Sequence, residues 1–265
     1  MATRDQADGS VDTEIRGQIL LIGINRPKKL NGFTPQMLTD LHDAYAMLED
    51  NDELRVGVLH AYGDHTTAGL DLPKIAPLME SGESLFPEGS PIDPFELTSE
   101  RRKPVVAAVK GICFTIGIEL MLACDIVVAA DNCRFSQLEV KRNLMPTGGA
   151  TIRITERAGY GNAMYLMLTA GEVDAQTALR WGLVQEVVPA GEELDRAIDL
   201  ANQIAEQAPE AVIATRHNAL LSMNAGKAAA VAEFVPVQQR LRAMKDGQEA
   251  IASFVEKRKP VFTGT

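Results

Sequence analysis

The sequence predicts an α/β protein with a core running to about residue 190 and a helical segment after it. Three observations carry that reading. Apolar runs of strand length alternate with helix-period segments through the first half of the chain. Helical patterning dominates after the Pro146-Thr147-Gly148-Gly149 turn. The 265 residues, 46% apolar and 23% charged, have the make-up of an ordinary soluble globular protein. We therefore divide the chain into a core at 1–190 and a helical segment at 191–265.

The first fourteen residues are polar and mildly acidic, without the apolar or Arg-rich amphipathic stretch of a targeting peptide. Gln18 to Asn25 reads as a buried strand closed by the turn Arg26-Pro27-Lys28-Lys29. Thr34-Pro35 starts a helix, because proline is pre-shaped for the first helical position and has no N–H to leave unpaired. Met37, Leu38, Leu41, Tyr45 and Leu48 continue it at helical spacing to Glu49. Val56 to Ala61 is a second strand. From Pro73 to Pro104, four further prolines and two glycines punctuate a stretch with little periodicity, which reads as a long lid.

Regularity returns with a strand at Pro104 to Val109. A turn through Gly111 leads to a helix beginning near Ile116, then strands at Ile126 to Ala130 and Cys133 to Gln137. Gly159, Gly171 and Gly182 stand where helices should stop, and Leu183 to Val188 is a last short strand. Amphipathic helices follow, the final one spanning Ala228 to Lys257. No repeat is visible in the sequence.

A net charge of −10 argues against a nucleic-acid partner. The basic run Lys257-Arg258-Lys259 reads as a solvated helix end. Cys113, Cys124 and Cys133 lack CxxC spacing and read as reduced core residues of a cytoplasmic protein. Four scattered histidines offer no metal-ligand pattern, so no metal is expected. The most apolar stretch, Ile112 to Ala130, is interrupted by Glu119 and Asp125 and is too short and too charged to span a bilayer.

Two carboxylates stand out. Glu119 lies within Ile116-Gly117-Ile118-Glu119-Leu120-Met121, on a mostly buried helix, where desolvation should raise its pKa and suit it to proton transfer. The same burial also fits a structural carboxylate satisfied by an arginine or by backbone donors. Glu139 follows a short strand and precedes a glycine turn, a position that serves either catalysis or solvation. Two glycine-bearing segments, Thr66 to Asp71 and Gly111 to Gly117, precede Glu119. They are either ordinary turns or places where a ligand approaches the backbone and free N–H groups meet developing negative charge.

Taken together, several segments resemble the crotonase (enoyl-CoA hydratase/isomerase) family. They are Ala68-Gly69-Leu70-Asp71-Leu72, Lys103 to Val109, Gly111 to Ile126, Phe135 to Glu139, Ala178 to Val184 and Phe254 to Pro260, in family order from about residue 13 to 262. The resemblance implies a spiral of ββα units followed by helices that build a homotrimer, often doubled to a hexamer. It implies an acyl-CoA thioester substrate, coenzyme A being part of that substrate and no separate cofactor being needed. Backbone N–H groups at Leu70 and Ile116 would hold the thioester oxygen, and Glu119 and Glu139 would handle water and the α-proton of a 2-enoyl-CoA. Lys28, Lys29, Leu30, Ala68 and Asp71 would contact substrate and coenzyme A, and Phe254 and Lys257 would reach a neighbouring subunit's coenzyme A. Phe86, Phe95 and Leu97 are candidate acyl contacts. Double-bond isomerisation, or acyl-CoA binding without catalysis, are the alternatives within the same resemblance. The chain departs from the family pattern at Thr115-Ile116-Gly117, where three glycines are usual, and at Thr147, where glycine usually follows the proline.

Overall fold

The computed structural model describes residues 8–81 and 92–265. Nine strands form two sheets among these residues. The larger contains β1 (Ser10–Arg16), β2 (Ile19–Asn25), β3 (Val56–Ala61), β4 (Val105–Val109), β6 (Ile126–Ala130) and β9 (Glu186–Val188), in the order β1-β2-β3-β4-β6-β9. The smaller holds β5 (Ile112–Phe114), β7 (Arg134–Ser136) and β8 (Val173–Asp174). β1 is antiparallel to β2, and the rest of the large sheet is parallel. Its central strands are continuous apolar runs because both of their faces are covered.

One face packs on α1 (Pro35–Asp50), with Leu20, Ile22 and Ile24 meeting Met37, Leu38, Leu41 and Tyr45. The predicted cap at Thr34 is present: its Oγ1 accepts from the Met37 N–H at 3.2 Å, with Pro35 at the first helical position. The opposite face, carrying Ile19, Leu21, Val56 and Val58, is covered by α7 (Glu193–Ala205). Ala197, Ala201 and Ala205 recur every fourth residue on α7, and their small size lets the helix lie close to the sheet.

The small sheet reveals a repeat that the sequence hides. Thr67 pairs in parallel with Cys113, and Cys113 pairs in parallel with Phe135. Each follows a strand of the large sheet (β3, β4 and β6 in turn) and precedes helical backbone. These are α2 (Leu72–Ser81), α3 (Ile116–Ala123) and a 3-10 turn at Glu139–Arg142. The chain therefore climbs in ββα turns whose ends stack in register. Three residues beyond each paired position stand Leu70, Ile116 and Leu138, so residues far apart in sequence emerge side by side.

The structure corrects several sequence expectations. The lid read over 73–104 begins as the helix α2. Pro73 sits in its first turn, where an N–H would be unpaired anyway, and Ile75 is fully buried and anchors it. Pro77 removes an internal hydrogen bond, which is why the pattern looked irregular. Residues 92–104 are irregular but tied down, with Phe95, Arg101 and Lys103 buried. β1 was missed because it is an edge strand whose second half is exposed. β5 and β8 are too short to show periodicity. The final helix is broken at Met244 into α9 (Lys227–Ala243) and α10 (Lys245–Glu256). There the carboxylate of Asp246 accepts the N–H groups of Thr263 and Gly264, so the C-terminal tail folds back over the start of α10. The remaining helices are α4 (Ala150–Ala158), α5 (Tyr160–Thr169), α6 (Ala175–Arg180) and α8 (Pro209–Ala225). Among the described residues, no helix is long and apolar enough to cross a membrane.

Candidate active site

Two backbone donors come to the stacked ends of the ββα turns. Phe33 brackets Leu70: its N–H donates to the Gly69 carbonyl at 2.9 Å, and its own carbonyl accepts from Asp71 at 2.8 Å. In such a parallel bridge the intervening residue turns its N–H to the other side. The Leu70 N–H accordingly makes no hydrogen bond among the described residues. Ile116 is the first residue of α3, so its N–H has no acceptor within the helix, and it too is free among the described residues. The Ile116 side chain is buried in the core, which keeps its bulk away from its own N–H.

The two donor segments touch. A Cβ on Gly69, where φ is +118°, would come within 2.5 Å of the Thr115 Oγ1. Thr115 itself has φ 52° and ψ −116°, a conformation that glycine adopts easily and a β-branched residue does not. Such backbone costs about 1–3 kcal/mol and persists only where its surroundings enforce it. Here the Thr115 N–H donates to the Ser136 carbonyl at 3.0 Å, and its carbonyl accepts from Ile118 and Glu119.

Glu119 is the one charged residue of α3, whose eight residues are all buried. Its Oε1 accepts from the N–H of Gly148 at 2.7 Å and of Ala150 at 3.3 Å. Burial raises its pKa, while these two donors pull it back and the Arg153 charge helps them. A Cβ at Gly148 would lie 2.6 Å from Oε2, so any other residue there would have to push the Glu119 carboxylate aside. Glu139 opens the 3-10 turn after β7 and is half-buried. Burial pushes its carboxyl up to about 7 against its own and the Leu138 N–H groups, and the neighbouring charge of Glu119 adds to the rise. With its amide nitrogen turned toward the carboxylate, Gln137 donates to both Glu139 oxygens, at 2.9 and 3.0 Å. Burial raises both carboxyls, and the Glu119 charge adds to the rise of Glu139, which at about 7 keeps a proton near neutral pH.

Other expected residues fall into place around this centre. Lys28 and Lys29 are exposed on a 3-10 turn, and the Leu30 carbonyl accepts from the Ala68 N–H at 2.9 Å, so these two loops are directly joined. The Asp71 carboxylate pairs with Arg26 at 2.8 Å, which fastens the 26–33 loop to the 66–71 segment. Phe254, 84% exposed, and Lys257, the exposed cap of α10, have no hydrogen bond or ion pair to Glu119, Glu139 or these loops among the described residues. Leu97 lies against Gly149, beside the donors of Glu119, while Phe95 is buried. Phe86 lies outside the described residues.

Sequence reasoning missed the holders of Glu119. Arg153 donates to the Phe95 carbonyl at 2.5 Å and packs on Gly149, linking the 93–98 segment to the turn that carries the Gly148 and Ala150 donors. The adjacent pair Gly148-Gly149 was the available signal, but a turn alone does not show what its N–H groups face.

The enoyl-CoA hydratase/isomerase family model matches residues 14–265. The carnitinyl-CoA dehydratase of Proteus mirabilis is 32% identical over 260 residues, with 96% of this chain and 98% of that protein covered. The short-chain-enoyl-CoA hydratase of Clostridium acetobutylicum is 31% identical, with 94% and 96% covered. Among solved structures, a "probable enoyl-CoA hydratase/isomerase" from Mycobacterium abscessus superposes with a TM-score of 0.92 at 43% identity, with 96% and 98% covered. The enoyl-CoA hydratase of Mycobacterium tuberculosis H37Rv does so with a TM-score of 0.86 at 34% identity, with 96% and 99% covered.

Proposed function

The chain belongs to the enoyl-CoA hydratase/isomerase family, and on that premise we propose that it catalyses the reversible addition of water to a 2-enoyl-CoA. What supports this reading is a buried and a half-buried carboxyl, Glu119 and Glu139, near enough for the charge of the first to raise the second, beside two N–H groups, those of Leu70 and Ile116, left unpaired among the described residues. In the proposed reaction the N–H pair takes the thioester oxygen. Glu119, in its carboxylate form, accepts a proton from water as the oxygen bonds to the β-carbon. Negative charge moves onto the thioester oxygen, and Glu139 delivers its proton to the α-carbon. The proton has then passed from one glutamate to the other, and the reverse reaction uses the same pair. Each N–H donor aimed at the developing oxyanion is worth roughly 3–4 kcal/mol of barrier in such sites. Lys28, Lys29, Leu30 and Ala68 fit the coenzyme A moiety as a charged rim on two joined loops, with Asp71 holding those loops through Arg26.

The test is a spectrophotometric assay of crotonyl-CoA and longer 2-enoyl-CoAs. Loss of the conjugated thioester absorbance with at least one chain length is expected. No turnover of any 2-enoyl-CoA would sink the reading. Conversion of a 3-enoyl-CoA that survives Glu119→Gln but not Glu139→Gln would replace it with isomerisation.

The pair's proton count sets the pH dependence. Water addition consumes no net proton, so kcat/KM in both directions should follow one bell-shaped profile. Activity should fall above about pH 7 as the pair loses its shared proton. It should fall again in acid, when both carboxyls are protonated. A kcat/KM that does not fall above about pH 7 would contradict a proton held by the pair.

Gly148→Ala should lower kcat by roughly 10²-fold, because the added methyl group displaces the Glu119 carboxylate from its donors. Unchanged kcat in a folded variant would show that this placement does not matter.

Homotrimer or hexamer formation is part of the same proposal. Its support is the apolar surface of α5 (Tyr160, Tyr165, Leu168) and of α9 and α10 (Phe234, Ile251, Phe254), all more than half exposed in the single chain. Three free, buried cysteines support a cytoplasmic setting.

A further inference from the structure

We propose that the Thr115 hydroxyl is a third donor to the substrate's thioester oxygen, a side-chain addition to the backbone pair of Leu70 and Ile116. The inference rests on the acyl-CoA reading above and deepens it.

Thr115 immediately precedes one N–H donor, Ile116. Its Oγ1 presses on Gly69, which immediately precedes the other donor, Leu70. The hydroxyl is therefore lodged where the segment of one N–H donor meets the segment of the other. It makes no hydrogen bond among the described residues, although Thr115 is half-buried and both of its backbone groups are bonded. Its oxygen is not among the enclosed polar atoms, so a molecule from outside can reach it.

The backbone adds an independent argument. Its φ of 52° and ψ of −116° are easily reached by glycine, and a β-branched side chain makes them costly. Nothing in the surrounding hydrogen bonds calls for a side chain: the Ser136, Ile118 and Glu119 contacts all use the Thr115 main chain. Glycine would make the same contacts without strain. What threonine alone contributes is a methyl group and a hydroxyl, and the hydroxyl is the group lodged against Gly69. Strain held at the mouth of a site for a polar group without an internal partner points to a ligand that completes it.

The chemistry fits an oxygen that gains negative charge. A hydroxyl can donate one hydrogen bond there, and it strengthens as charge moves from the α-carbon onto the oxygen. The effect should therefore fall mainly on kcat rather than on KM.

Four proteins test it: wild type, Thr115→Val, Thr115→Ser and Thr115→Gly. Valine keeps the shape and removes the hydroxyl, serine keeps the hydroxyl, and glycine removes both while relieving the backbone. With crotonyl-CoA, or whichever 2-enoyl-CoA the wild type turns over, Thr115→Val and Thr115→Gly should each lower kcat about tenfold with KM changed less than about threefold. Thr115→Ser should stay within about threefold of wild type. Thr115→Gly should also melt no lower than wild type, which separates lost chemistry from lost folding.

A second readout is independent of turnover. Cinnamoyl-CoA bound to the wild type should show a red-shifted absorption as its carbonyl is polarised, and the shift should shrink in Thr115→Val and persist in Thr115→Ser. Wild-type kcat in Thr115→Val, or an unchanged shift, overturns the inference. So does bound cinnamoyl-CoA with no shift in any of the four proteins. A wild type that hydrates no 2-enoyl-CoA but shifts cinnamoyl-CoA in a Thr115-dependent way would overturn the hydratase reading and leave the third donor standing.

Discussion

Glu139→Gln is expected to lower turnover of 2-enoyl-CoA by roughly 10²–10⁴-fold, the range set by losing a positioned general acid–base group. Glu119→Gln should do the same. Neither loss should come from misfolding. At position 119 a glutamine oxygen still accepts from Gly148 and Ala150, and at 139 the side chain is only half-buried. The Glu139 variant carries a further signature. The wild-type carboxyl is raised by burial to about 7 in the folded protein, from an ordinary value near 4.5. Its contribution to stability is thus fully present below about pH 4.5 and is lost as pH rises through about 7, where a charge is forced into the site. Glutamine never carries that charge. Glu139→Gln should therefore match wild type at pH 4 and exceed it by about 1 kcal/mol at pH 8, a modest figure because the carboxyl is partly solvated. Urea denaturation at the two pH values checks this. A variant that is inactive and less stable at pH 8 would mean that Glu139 has a structural role.

The largest expected loss of stability follows from Arg101→Met, at about 3–5 kcal/mol. Arg101 is buried and pairs with Glu96 at 3.0 Å and with Asp125 at 2.9 Å, while donating to the Ala123 carbonyl at 2.8 Å. Arg216, from α8, joins the same two carboxylates, at 2.5 Å to Glu96 and 2.7 Å to Asp125. Burial opposes the Arg101 charge, but Asp125 and Glu96 outweigh it and hold the guanidinium protonated. Removing Arg101 leaves two partly buried carboxylates sharing one arginine. The midpoint of urea denaturation should fall accordingly, and a loss below about 1 kcal/mol would show that the network relaxes around the gap. Activity should fall as well. Glu96 belongs to the segment whose carbonyls accept from Arg153 and whose Leu97 rests on Gly149, next to the donors of Glu119.

The parts that were legible before any coordinates share a property: their signal lies within a few neighbouring residues. β2, β3 and β4 are short apolar runs, and α1 has a cap, a proline and a regular stripe. Glu119 stood out because a lone charge interrupts an apolar helix. What stayed hidden depends on partners distant in the chain. The strands of the small sheet have two or three residues each and exist because Cys113 finds Phe135 and Thr67. α2 was masked by Pro77, whose helix-breaking tendency is overridden once Ile75 is buried.

By itself, the sequence determined the α/β class, the two carboxylates and, through its ordered motifs, the family. Only the tertiary structure decided that Glu119 is held by Gly148 and Ala150, and that its charge reaches Glu139. It likewise decided that the N–H groups of Leu70 and Ile116 are left free among the described residues, and that the Thr115 hydroxyl is lodged against Gly69. The physical reason is that strand and helix preferences are local. Desolvation, charge coupling and the direction of an unpaired N–H arise only when turns of the spiral, dozens of residues apart, stack in register.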